Sequence, residues 1–532
     1  MAALAALTAA AAASQPAQGA GLRNAPAGPS VTLPGSATAA AVAADGATWI
    51  VGARRGGGTI ARAHGAERIA GRAWLAPRSR ARALTAALHA HGLLDYAEPN
   101  RLSRRTQATL ADPLSTNVGS SWRTAVVGDA AVPPVGPDSP LIAVVDTQID
   151  VTHPEIAGSA ITTLGGPALG DFHGTATTTV AAAPLNGVGM LGVWPGARTL
   201  NVPLTDGQRI TCADSARGIA RAVRHGAAVI NMSYGSASKC VAEEQQINRA
   251  VQAGAVPVAA SGNEFQQGNP LEFPASLAHV LTVGAIGPDD KPAFFSNESA
   301  AIDLAAPGVG ILTGVPAGFD PGGDADGFHP VDGTSFAAPM VSAAVAWIRA
   351  ARSDLTPFQA AQVVRLGARD VGDPGYENGT GFGVLNVPGA LVREPPPDDP
   401  LEPNDDIRYV DGRAFDQLSP ALYNGRDASI AATVDLAEDP IDIYRIKVRA
   451  GRRARITLQP AVGDADVFVY GSKARSVGAR PIDRSTRRGS RTDRLTVRNR
   501  GSRTTTYYVA VGFHRGKRLK LLNARYTLRV AD

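Results

Sequence analysis

A run of small and apolar residues constrains the fold of this chain more than any other segment. It reads VDGTSFAAPMVSAAVA and extends from Val331 to Ala346. Residues 333–335 predict a tight turn, and the apolar run from Phe336 to Trp347 predicts a buried helix. Pro339 is expected early in this helix, where a missing N–H costs least. Ser335 would then lie at a helix N-terminus, where free N–H groups favour developing negative charge, although it could equally serve only as a helix cap.

Three apolar segments upstream end in residues that complement a serine nucleophile. LIAVVDTQID predicts a strand that ends at Asp146, DFHGTATTTVAAA places His173 just before a helix, and VPVAASGNE leads from a strand into a turn at Asn263. Acyl transfer needs a nucleophile, a base, a carboxylate that orients the base, and donors for the oxyanion. The chain order Asp, His, Ser is that of subtilisin, and Ser335 does not lie in the G-x-S-x-G motif of the α/β-hydrolases.

Five sequence blocks together resemble the signature blocks of the subtilisin-like serine proteases, or subtilases. They are VVDTQID, HGTATTTVAAA, INMSYG, AASGNE and GTSFAAPMVSAAVA, and the similarity covers most of residues 110–392. The resemblance implies that Ser335 attacks the scissile carbonyl, His173 accepts the serine proton and Asp146 orients the imidazole. It also implies that the Asn263 side-chain amide and the Ser335 backbone N–H bind the oxyanion.

The resemblance further implies a substrate-binding region. Two segments should flank the primary specificity pocket, and the first should pair with the substrate backbone as an extended strand. These segments are Ser233, Tyr234 and Gly235, and Ala260, Ser261 and Gly262. Glu264 would lie at the pocket rim and favour a basic side chain, although a solvent-facing glutamate would look the same in the sequence. Gln148 and Phe172 replace glycines of the family pattern, which leaves the local backbone geometry in question.

The sequence predicts that the chemistry requires no cofactor, and it leaves the metal ligands unknown. NGVGMLGVWPGA resembles a loop that donates calcium ligands in some subtilases, and Asn186 and Glu155 match ligand positions, so a structural calcium ion is an expectation. In an oxidising compartment Cys212 and Cys240 would form a disulfide, and the alternative is two buried thiols. Four histidines and one aspartate are interpreted as structural: Asp150, His153, His225, His279 and His329.

A chain of 532 residues exceeds what one hydrophobic core usually supports, so several domains are expected. Alternating apolar strands and helical stretches predict an α/β fold in which helices cover both faces of a parallel sheet. Helices are expected at 213–225, 243–253, 337–350 and 357–366. We divide the chain into a signal-like segment at 1–22, an inhibitor-like α+β propeptide at 23–108, the catalytic domain at 109–392, a proline-rich linker at 393–402 and a β-sandwich at 403–532.

The N-terminal segments carry signs of export and self-processing. Residues 1–20, within the signal-like segment, end in small residues but lack a basic n-region, so they are either a signal peptide whose start lies upstream or a low-complexity tail. Subtilases commonly carry a propeptide that folds against the catalytic domain, and here WIVGA predicts a strand and Ser79–His91 a helix. By resemblance, self-cleavage would fall between Ser103 and Asp112. The alternative is an unrelated N-terminal domain.

The C-terminal region turns to short alternating strands typical of a β-sandwich. EPNDD, GDADVFVY and the terminal YTLRV resemble the bacterial pre-peptidase C-terminal domain. Residues 401–532 hold 26 Lys or Arg and 15 Asp or Glu, a net of +11, whereas the whole chain nets +5. This region is therefore a candidate for contact with an anionic cell surface, and the alternative is a solvated basic face. No nucleic-acid partner is expected, because the sequence has none of the recognition motifs and its basic residues are not interleaved with stacking aromatics.

The sequence therefore predicts a secreted or cell-surface-associated serine endopeptidase. It would be made as a self-processing zymogen, bind its own propeptide, cleave protein or peptide substrates, and act as a monomer. A different class of function stays open: a catalytically impaired subtilase-fold binding protein that acts through its basic C-terminal domain. An esterase with the same triad is a more distant alternative.

Overall fold

The computed structural model describes residues 44–70, 73–101, 114, 121–204, 210–320, 326–399, 401–415, 417–514 and 523–532. The chain divides into two compact units, Met1–Thr109 and Leu110–Asp532. The signal-like segment at 1–22 lies outside the described residues, and so does the expected self-cleavage interval from Ser103 to Asp112. Among the described residues, no helix has both the length and the apolar character that a membrane span requires.

The first unit contains a four-stranded antiparallel sheet with two helices. Its elements are β1 (Ala44–Ala53), α1 (Gly58–Ala63), β2 (Glu67–Ala70), β3 (Ala73–Pro77), α2 (Arg78–Ala90) and β4 (Leu94–Arg101), and the strand order is β2-β3-β1-β4. Leu84 and Leu88, one turn apart on α2, are buried in one cluster with Val51 and Trp74. The helix predicted from the apolar spacing of Ser79–His91 agrees with α2 within one residue at each end.

The second unit is built on a seven-stranded parallel sheet in the order β11-β10-β9-β8-β5-β7-β6. Its strands are β5 (Ile142–Asp146), β6 (Ile161–Thr163), β7 (Thr199–Pro203), β8 (Val229–Met232), β9 (Val256–Ala260), β10 (Leu281–Ile286) and β11 (Leu304–Pro307). Every residue of β5 and β9 is buried, and all of them except Asp146 are apolar, as expected for strands covered on both faces. β5 lies between β7 and β8: the chain passes from β5 to β6 and β7 on one side and then crosses to β8 on the other. Such a reversal of strand order forms a crevice at the carboxyl ends of the strands.

Helices cover both faces of the parallel sheet. They are α3 (Ser121–Val127), α4 (His173–Ala182), α5 (Cys212–Arg224), α6 (Val241–Gln252), α7 (Thr334–Ala351), α8 (Pro357–Leu366) and α9 (Val387–Val392). A further short helix, α10 (Ile407–Val410), instead packs with Ile443, Tyr470 and Tyr508 of the C-terminal region. One hydrophobic cluster joins a sheet face to α4, α7 and α8, and another joins the opposite face to α5 and α6. β12 (Ile311–Gly314) pairs antiparallel with β13 (Phe328–Val331), which leads into the turn before α7. The predicted helices match α5, α6 and α8 within two residues.

The proline-rich stretch 393–402, expected as a linker, is packed against the second unit. The Gln359 side chain of α8 donates to the Pro396 carbonyl oxygen at 2.9 Å, and the Thr356 hydroxyl donates to Asp398 at 2.6 Å. Asp399 is buried. The stretch is therefore held by side chains around the start of α8 and is not a free spacer. Its proline and acid content alone did not predict these contacts.

Two further sheets follow. One has the order β14-β16-β21-β18-β19 and the other β15-β22-β17-β20. The strands are β14 (Ala421–Tyr423), β15 (Ala428–Asp435), β16 (Ile441–Val448), β17 (Arg453–Val462), β18 (Ala465–Tyr470), β19 (Asp483–Ser485), β20 (Asp493–Arg498), β21 (Thr505–Phe513) and β22 (Asn523–Ala531). Alternate residues of β17, β20 and β22 are buried, and they share one hydrophobic cluster with β16, β18 and β21. The period-two alternation of the sequence thus places one side of each strand in a common core.

Candidate active site

Asp146 and His173 meet at the carboxyl edge of the parallel sheet. Asp146 is the last residue of β5, His173 is the first of α4, and Asp146 Oδ1 lies 2.7 Å from His173 Nδ1. The buried carboxylate also accepts hydrogen bonds from the Thr147 N–H at 2.7 Å and from Thr177 Oγ1 at 3.2 Å. Burial lowers the pKa of His173, but the charge of Asp146 and the hydrogen bond to it raise that pKa more, so the net shift is upward. The carboxylate is thereby fixed to orient the ring and to stabilise its charged form.

The start of α4 fits closely against the loop after β5. The Gly174 N–H donates to Thr147 Oγ1 at 2.8 Å, and a Cβ on Gly174 would lie only 2.3 Å from the Thr147 carbonyl oxygen. Phe172, one departure from the family pattern, has φ −96°, which any residue adopts. Gln148, the other departure, also lacks a positive φ. Neither replacement of glycine therefore strains the backbone beside His173.

Ser335 is the second residue of α7, as the sequence predicts for a serine at a helix N-terminus. Gly333 precedes the helix with φ 152°, a conformation that favours glycine. The rings of His173 and Phe336 have centroids 5.7 Å apart, so the imidazole lies beside the Ser335 turn. Ser335 Oγ donates to the Ser233 carbonyl oxygen at 3.2 Å, and no hydrogen bond among the described residues joins it to His173. Without substrate, such catalytic hydrogen bonds are often long and form only in the complex.

Pro339 lies in the second turn of α7, later than the sequence suggested, because the helix begins at Thr334. The N–H that Pro339 lacks is the one that would bond to the Ser335 carbonyl oxygen, four residues earlier. That oxygen instead accepts a hydrogen bond from Ser233 Oγ at 2.8 Å, and Asn231 Nδ2 donates to Ser233 Oγ at 2.9 Å. The segment after β8 is therefore tied to the Ser335 turn at both the hydroxyl and the carbonyl of Ser335.

Asn263 follows β9 and lies opposite the start of α7. Its Oδ1 accepts hydrogen bonds from the backbone N–H and from the hydroxyl of Thr334, each at 2.9 Å. Because the oxygen is held by Thr334, the Nδ2 group faces away as a donor, and a Cβ on Gly333 would lie 3.7 Å from it. The amide thus presents N–H groups beside the Ser335 turn, where an oxyanion would form.

A pocket of about 100 Å³ opens beside Ser335. Its other lining residues come from the segments after β8 and β9 and from one further loop: Tyr234, Gly235, Ala260, Gly262, Asn263, Glu264, Glu272 and Thr334. Ser233, also predicted here, touches Ser335 directly. Ser261 lies between the lining residues Ala260 and Gly262, and its buried hydroxyl donates to the Asn297 carbonyl oxygen at 3.4 Å. The predicted region is thus a real concavity next to the candidate nucleophile.

Glu264 and Glu272 give this pocket an acidic wall. Glu264 Oε2 accepts a hydrogen bond from the Asn263 N–H at 2.7 Å, and a Cβ on Gly235 would lie 2.8 Å from Glu272 Oε2. Burial first, and then the charge of Glu264, raise the pKa of Glu272 to about 7. The sequence predicted a role for Glu264 but gave no signal for Glu272, which lies in a loop outside the family motifs.

Several residues that were predicted to be structural make stabilising contacts away from the catalytic residues. Cys212 and Cys240 form a disulfide bond between the starts of α5 and α6. His153 and His225 bond the backbone carbonyl oxygens of Gly327 and Arg221, each at 2.8 Å. His279 instead pairs with acidic residues of a distant segment.

Asn186 and Glu155, the predicted calcium-ligand positions, are neighbours. Asn186 Nδ2 lies 3.4 Å from Glu155 Oε2. Glu155 Oε1 accepts a hydrogen bond from the Met190 N–H at 2.7 Å, and Asn186 Oδ1 accepts one from the Val188 N–H at 2.9 Å. These bonds hold the loop to the buried glutamate, and a calcium ion at this place stays a prediction.

Three polar residues support the site and were not singled out from the sequence: Thr147, Asn231 and Thr334. Asn231 lies in the buried strand β8, and Ser342 of α7 donates to its Oδ1 at 2.9 Å. A buried asparagine in an apolar strand must be hydrogen-bonded, so the sequence INMS could have identified Asn231 as a polar residue that supports the site. Thr147 and Thr334 adjoin Asp146 and Ser335 in the motifs, and adjacency alone does not reveal which atoms they hold.

Comparisons with known proteins point to one family. The Subtilase family model matches residues 138–383. Fervidolysin from Fervidobacterium pennivorans is 29% identical over 283 residues, which cover 47% of this chain and 40% of that protein. Subtilisin BL from Lederbergia lenta is 32% identical over 255 residues, which cover 47% of this chain and 89% of that protein. The crystal structure of fervidolysin matches with a TM-score of 0.45 and 18% identity over 84% of each chain.

Proposed function

The chain belongs to the subtilase family of serine proteases, and we propose that it is an endopeptidase that uses Asp146, His173 and Ser335. The observation that carries the proposal is the 2.7 Å contact of Asp146 with His173 beside a serine at the start of a buried helix. A buried carboxylate, an imidazole and a hydroxyl at one sheet edge supply the orienting group, the base and the nucleophile of an acyl-enzyme reaction.

In the proposed mechanism Ser335 Oγ turns from the Ser233 carbonyl toward His173 Nε2 and attacks the scissile carbonyl carbon. His173 accepts the serine proton and then donates it to the leaving amine, while Asp146 stabilises the imidazolium. The oxyanion receives hydrogen bonds from Asn263 Nδ2 and from the Ser335 N–H, which is among the first N–H groups of α7 and so has no partner within the helix. Water then hydrolyses the acyl-enzyme by the same base.

The proposal extends to the residue before the scissile bond, which we expect to be Lys or Arg. The pocket next to Ser335 has two glutamates in its wall, Glu264 and Glu272. A cationic side chain that enters a confined acidic pocket gains charge-assisted hydrogen bonds, whereas an apolar side chain would leave the negative charge of the pocket without a counter-ion. The preference therefore follows from charge as well as from shape.

Secretion and zymogen processing belong to the same proposal. The Cys212–Cys240 disulfide supports an oxidising compartment. The division of the chain into compact units at Thr109 and Leu110 supports a separable N-terminal unit, which we propose to be the propeptide, removed by self-cleavage. Residues 403–532 are proposed to be a β-sandwich of the pre-peptidase C-terminal type.

One sheet of the C-terminal region supports a contact with an anionic surface. Exposed residues alternate with buried ones along β17, β20 and β22, and Arg453 lies opposite Arg498 in the ladder. Like charges in register on a solvent face form a cationic strip that an anionic polymer would neutralise. The exposed arginines of the three strands are Arg453, Arg455, Arg494, Arg498, Arg525 and Arg529.

The first experiment compares full-length protein with Ser335→Ala, and with Ser353→Ala as a matched control on an exposed serine just beyond α7. Wild type and Ser353→Ala should lose the N-terminal unit, cleave casein and react at Ser335 with a fluorophosphonate probe, and mass spectrometry reads all three. Ser335→Ala should do none of these. Asp146→Asn should lower kcat by roughly 10⁴-fold, as expected when the imidazole loses its orienting carboxylate.

The binding-protein alternative makes the opposite prediction for the wild type. It expects an intact chain, no labelling of Ser335 and no casein cleavage at any pH or calcium concentration. One observation supports this alternative: the Ser335 hydroxyl donates to the Ser233 carbonyl oxygen, so it is not oriented toward His173. Cleavage of small esters without cleavage of casein would favour the esterase.

A further inference from the structure

A buried glutamate lies behind the wall of the pocket next to Ser335. Glu243 belongs to the first turn of α6 and is only 5% exposed. Within the described residues no ion pair reaches it, because Lys239 and Arg408 pair with the adjacent Glu244 instead. Burial raises the pKa of the Glu243 carboxyl, and one hydrogen bond offsets part of that rise. Burying a carboxyl group without a cation costs folding free energy, so a role other than stability is the better explanation for this residue.

Ser215 connects this glutamate to Tyr234. Ser215 lies in the first turns of α5 and is 2% exposed. Its Oγ donates to Glu243 Oε1 at 2.5 Å and lies 2.8 Å from the Tyr234 hydroxyl. Because the serine proton is used toward the glutamate, the tyrosine hydroxyl is the donor of the second bond. Burial raises the pKa of Tyr234, so that hydroxyl keeps its proton.

Tyr234 is the end of this hydrogen-bonded chain, and it also lines the pocket. Its partly buried ring packs against the hydrophobic cluster that α5 and α6 share. Two residues further on, Ser236 exchanges both backbone hydrogen bonds with Phe273, at 2.9 and 2.8 Å. Phe273 follows Glu272, the acidic residue of the opposite wall. The position of Tyr234 therefore determines how one wall of the pocket lies relative to the other.

A disulfide bond joins the two helices that carry the donor and the acceptor. Cys212 is the first residue of α5, Cys240 is the N-cap of α6, and the two sulfurs are bonded. Each cysteine precedes its polar residue by three positions, which is about one helical turn. Cys240 Sγ also accepts a hydrogen bond from the Glu243 N–H at 3.3 Å. The covalent bond thus holds the helix starts at the place where Ser215 meets Glu243.

We propose that Ser215 and Glu243 are positioning residues of the specificity pocket. They hold Tyr234 through two consecutive hydrogen bonds, and the Cys212–Cys240 disulfide holds the helices from which they extend. Within the described residues no hydrogen bond joins either of them to the catalytic residues, so they act on the binding of the side chain before the scissile bond and not on the chemical step. This inference rests on the proposed peptidase function and names the residues that support its substrate preference.

The test compares the full-length enzyme with Tyr234→Phe and Ser215→Ala, which remove the same hydrogen bond from its two ends. For a fluorogenic arginine peptide, each variant should raise KM about 5-fold and leave kcat within about 2-fold, as expected when one hydrogen bond that supports substrate binding is lost. The double variant should raise KM no further, because the two residues share one interaction. Tyr470→Phe is the matched control: its hydroxyl donates to the Val477 carbonyl oxygen at 3.1 Å in the C-terminal region, and its loss should leave KM unchanged.

Variants at Glu243 separate positioning from stability. Glu243→Gln keeps an oxygen acceptor for Ser215 and should retain the wild-type KM. Glu243→Leu has no acceptor and should raise KM, yet it removes a buried carboxyl group and should keep or raise the Tm. A structural role predicts instead that KM rises only where the Tm falls. Replacing Cys212 and Cys240 together by serine should raise KM in the wild type and add nothing in Tyr234→Phe.

A binding measurement distinguishes failure of this inference from failure of the proposed function. A fluorescent peptide that ends in its only arginine is the acyl-side product of the expected cleavage, and its anisotropy reports binding without turnover. If the wild type cleaves no substrate, the proposed function fails, and the peptide affinity still tests the inference: Tyr234→Phe and Ser215→Ala should weaken it about 5-fold. Affinity and KM within about 2-fold of wild type in both variants, a lower kcat at unchanged KM, or no binding by the wild type overturns the inference.

Discussion

At the residue scale, the proposed substrate preference depends on the ionisation of Glu272. Burial and the charge of Glu264 raise the pKa of this carboxyl to about 7. Below that pH Glu272 is neutral and the pocket carries one negative charge fewer. Above it the carboxylate is charged and attracts a substrate cation. A basic side chain before the scissile bond should therefore gain from rising pH in a way that an apolar side chain does not.

We expect the ratio of kcat/KM for an arginine peptide to kcat/KM for the matching leucine peptide to rise between about pH 6 and 8, by roughly 10-fold, the value of one charge-assisted hydrogen bond. The charge of Asp146 raises the pKa of His173, but protonation of His173 slows both substrates equally and cancels in the ratio. Fluorogenic peptides that differ only in that residue provide the measurement. Glu272→Gln should give a low ratio that does not change with pH, and a pH-dependent ratio in this variant would assign the effect to another group.

At the element scale, α7 lacks one backbone hydrogen bond, and a side chain of the segment after β8 supplies a replacement. Pro339 removes the N–H that the Ser335 carbonyl would accept, and the Ser233 hydroxyl replaces it at 2.8 Å. The same hydroxyl accepts from Asn231 Nδ2, and Asn231 Oδ1 accepts from Ser342 of α7. The start of the helix is thus positioned by a chain of buried hydrogen bonds to β8 and not by its own backbone alone.

A double-mutant cycle tests whether the Ser233 hydroxyl compensates for the N–H that Pro339 lacks. Ser233→Ala should reduce the free energy of unfolding by ~1–3 kcal/mol, because the Ser335 carbonyl and the Asn231 amide each lose a partner. In a Pro339→Ala background, the new N–H at residue 339 can donate to that carbonyl, so Ser233→Ala should cost about 1 kcal/mol less. Urea unfolding of all four proteins, each carrying Ser335→Ala to prevent self-cleavage, measures both costs. Equal costs in the two backgrounds would show that Pro339 and Ser233 do not interact.

The same elements show which features could be predicted from the sequence and which could not. Apolar period and motif order predicted α5, α6, α8, the end of β5 at Asp146 and the strand that precedes Asn263, because buried parallel strands and helix caps leave strong local patterns. The hydrogen bond that replaces the one lost at Pro339 could not be predicted, since it joins the Ser335 carbonyl to Ser233, 102 positions earlier in the chain. Glu272 was missed for the same reason: a loop glutamate looks solvent-exposed until the fold places it in a pocket wall.

At the scale of the whole second unit, a buried ion cluster joins the parallel-sheet region to the C-terminal sheets. Arg365 of α8 contacts Asp303 before β11, Asp435 at the end of β15 and Glu438 in the following loop. Burial lowers the pKa of Arg365, but the three carboxylates raise it more, so the guanidinium stays charged. The 393–402 stretch packs beside the same helix, so the two regions are held by contacts that a flexible linker would not make.

Arg365→Met should therefore destabilise the unit far more than a similar change at the surface. Arg365 is the one guanidinium that the described residues place against Asp303, Asp435 and Glu438, so its removal leaves three buried carboxylates without a counter-ion, which costs roughly 3–5 kcal/mol. Arg369→Met is the matched control, because Arg369 and its partner Asp290 are each about half exposed and such pairs contribute only about 0.2–1 kcal/mol. Calorimetric unfolding of both variants in saturating calcium, in the Ser335→Ala background, compares the two. If Arg365→Met lowers stability no more than Arg369→Met does, the ion cluster does not hold the C-terminal sheets in place, and other contacts, such as the hydrogen bond from Asn248 Nδ2 to the Tyr409 hydroxyl at 2.7 Å, must do so.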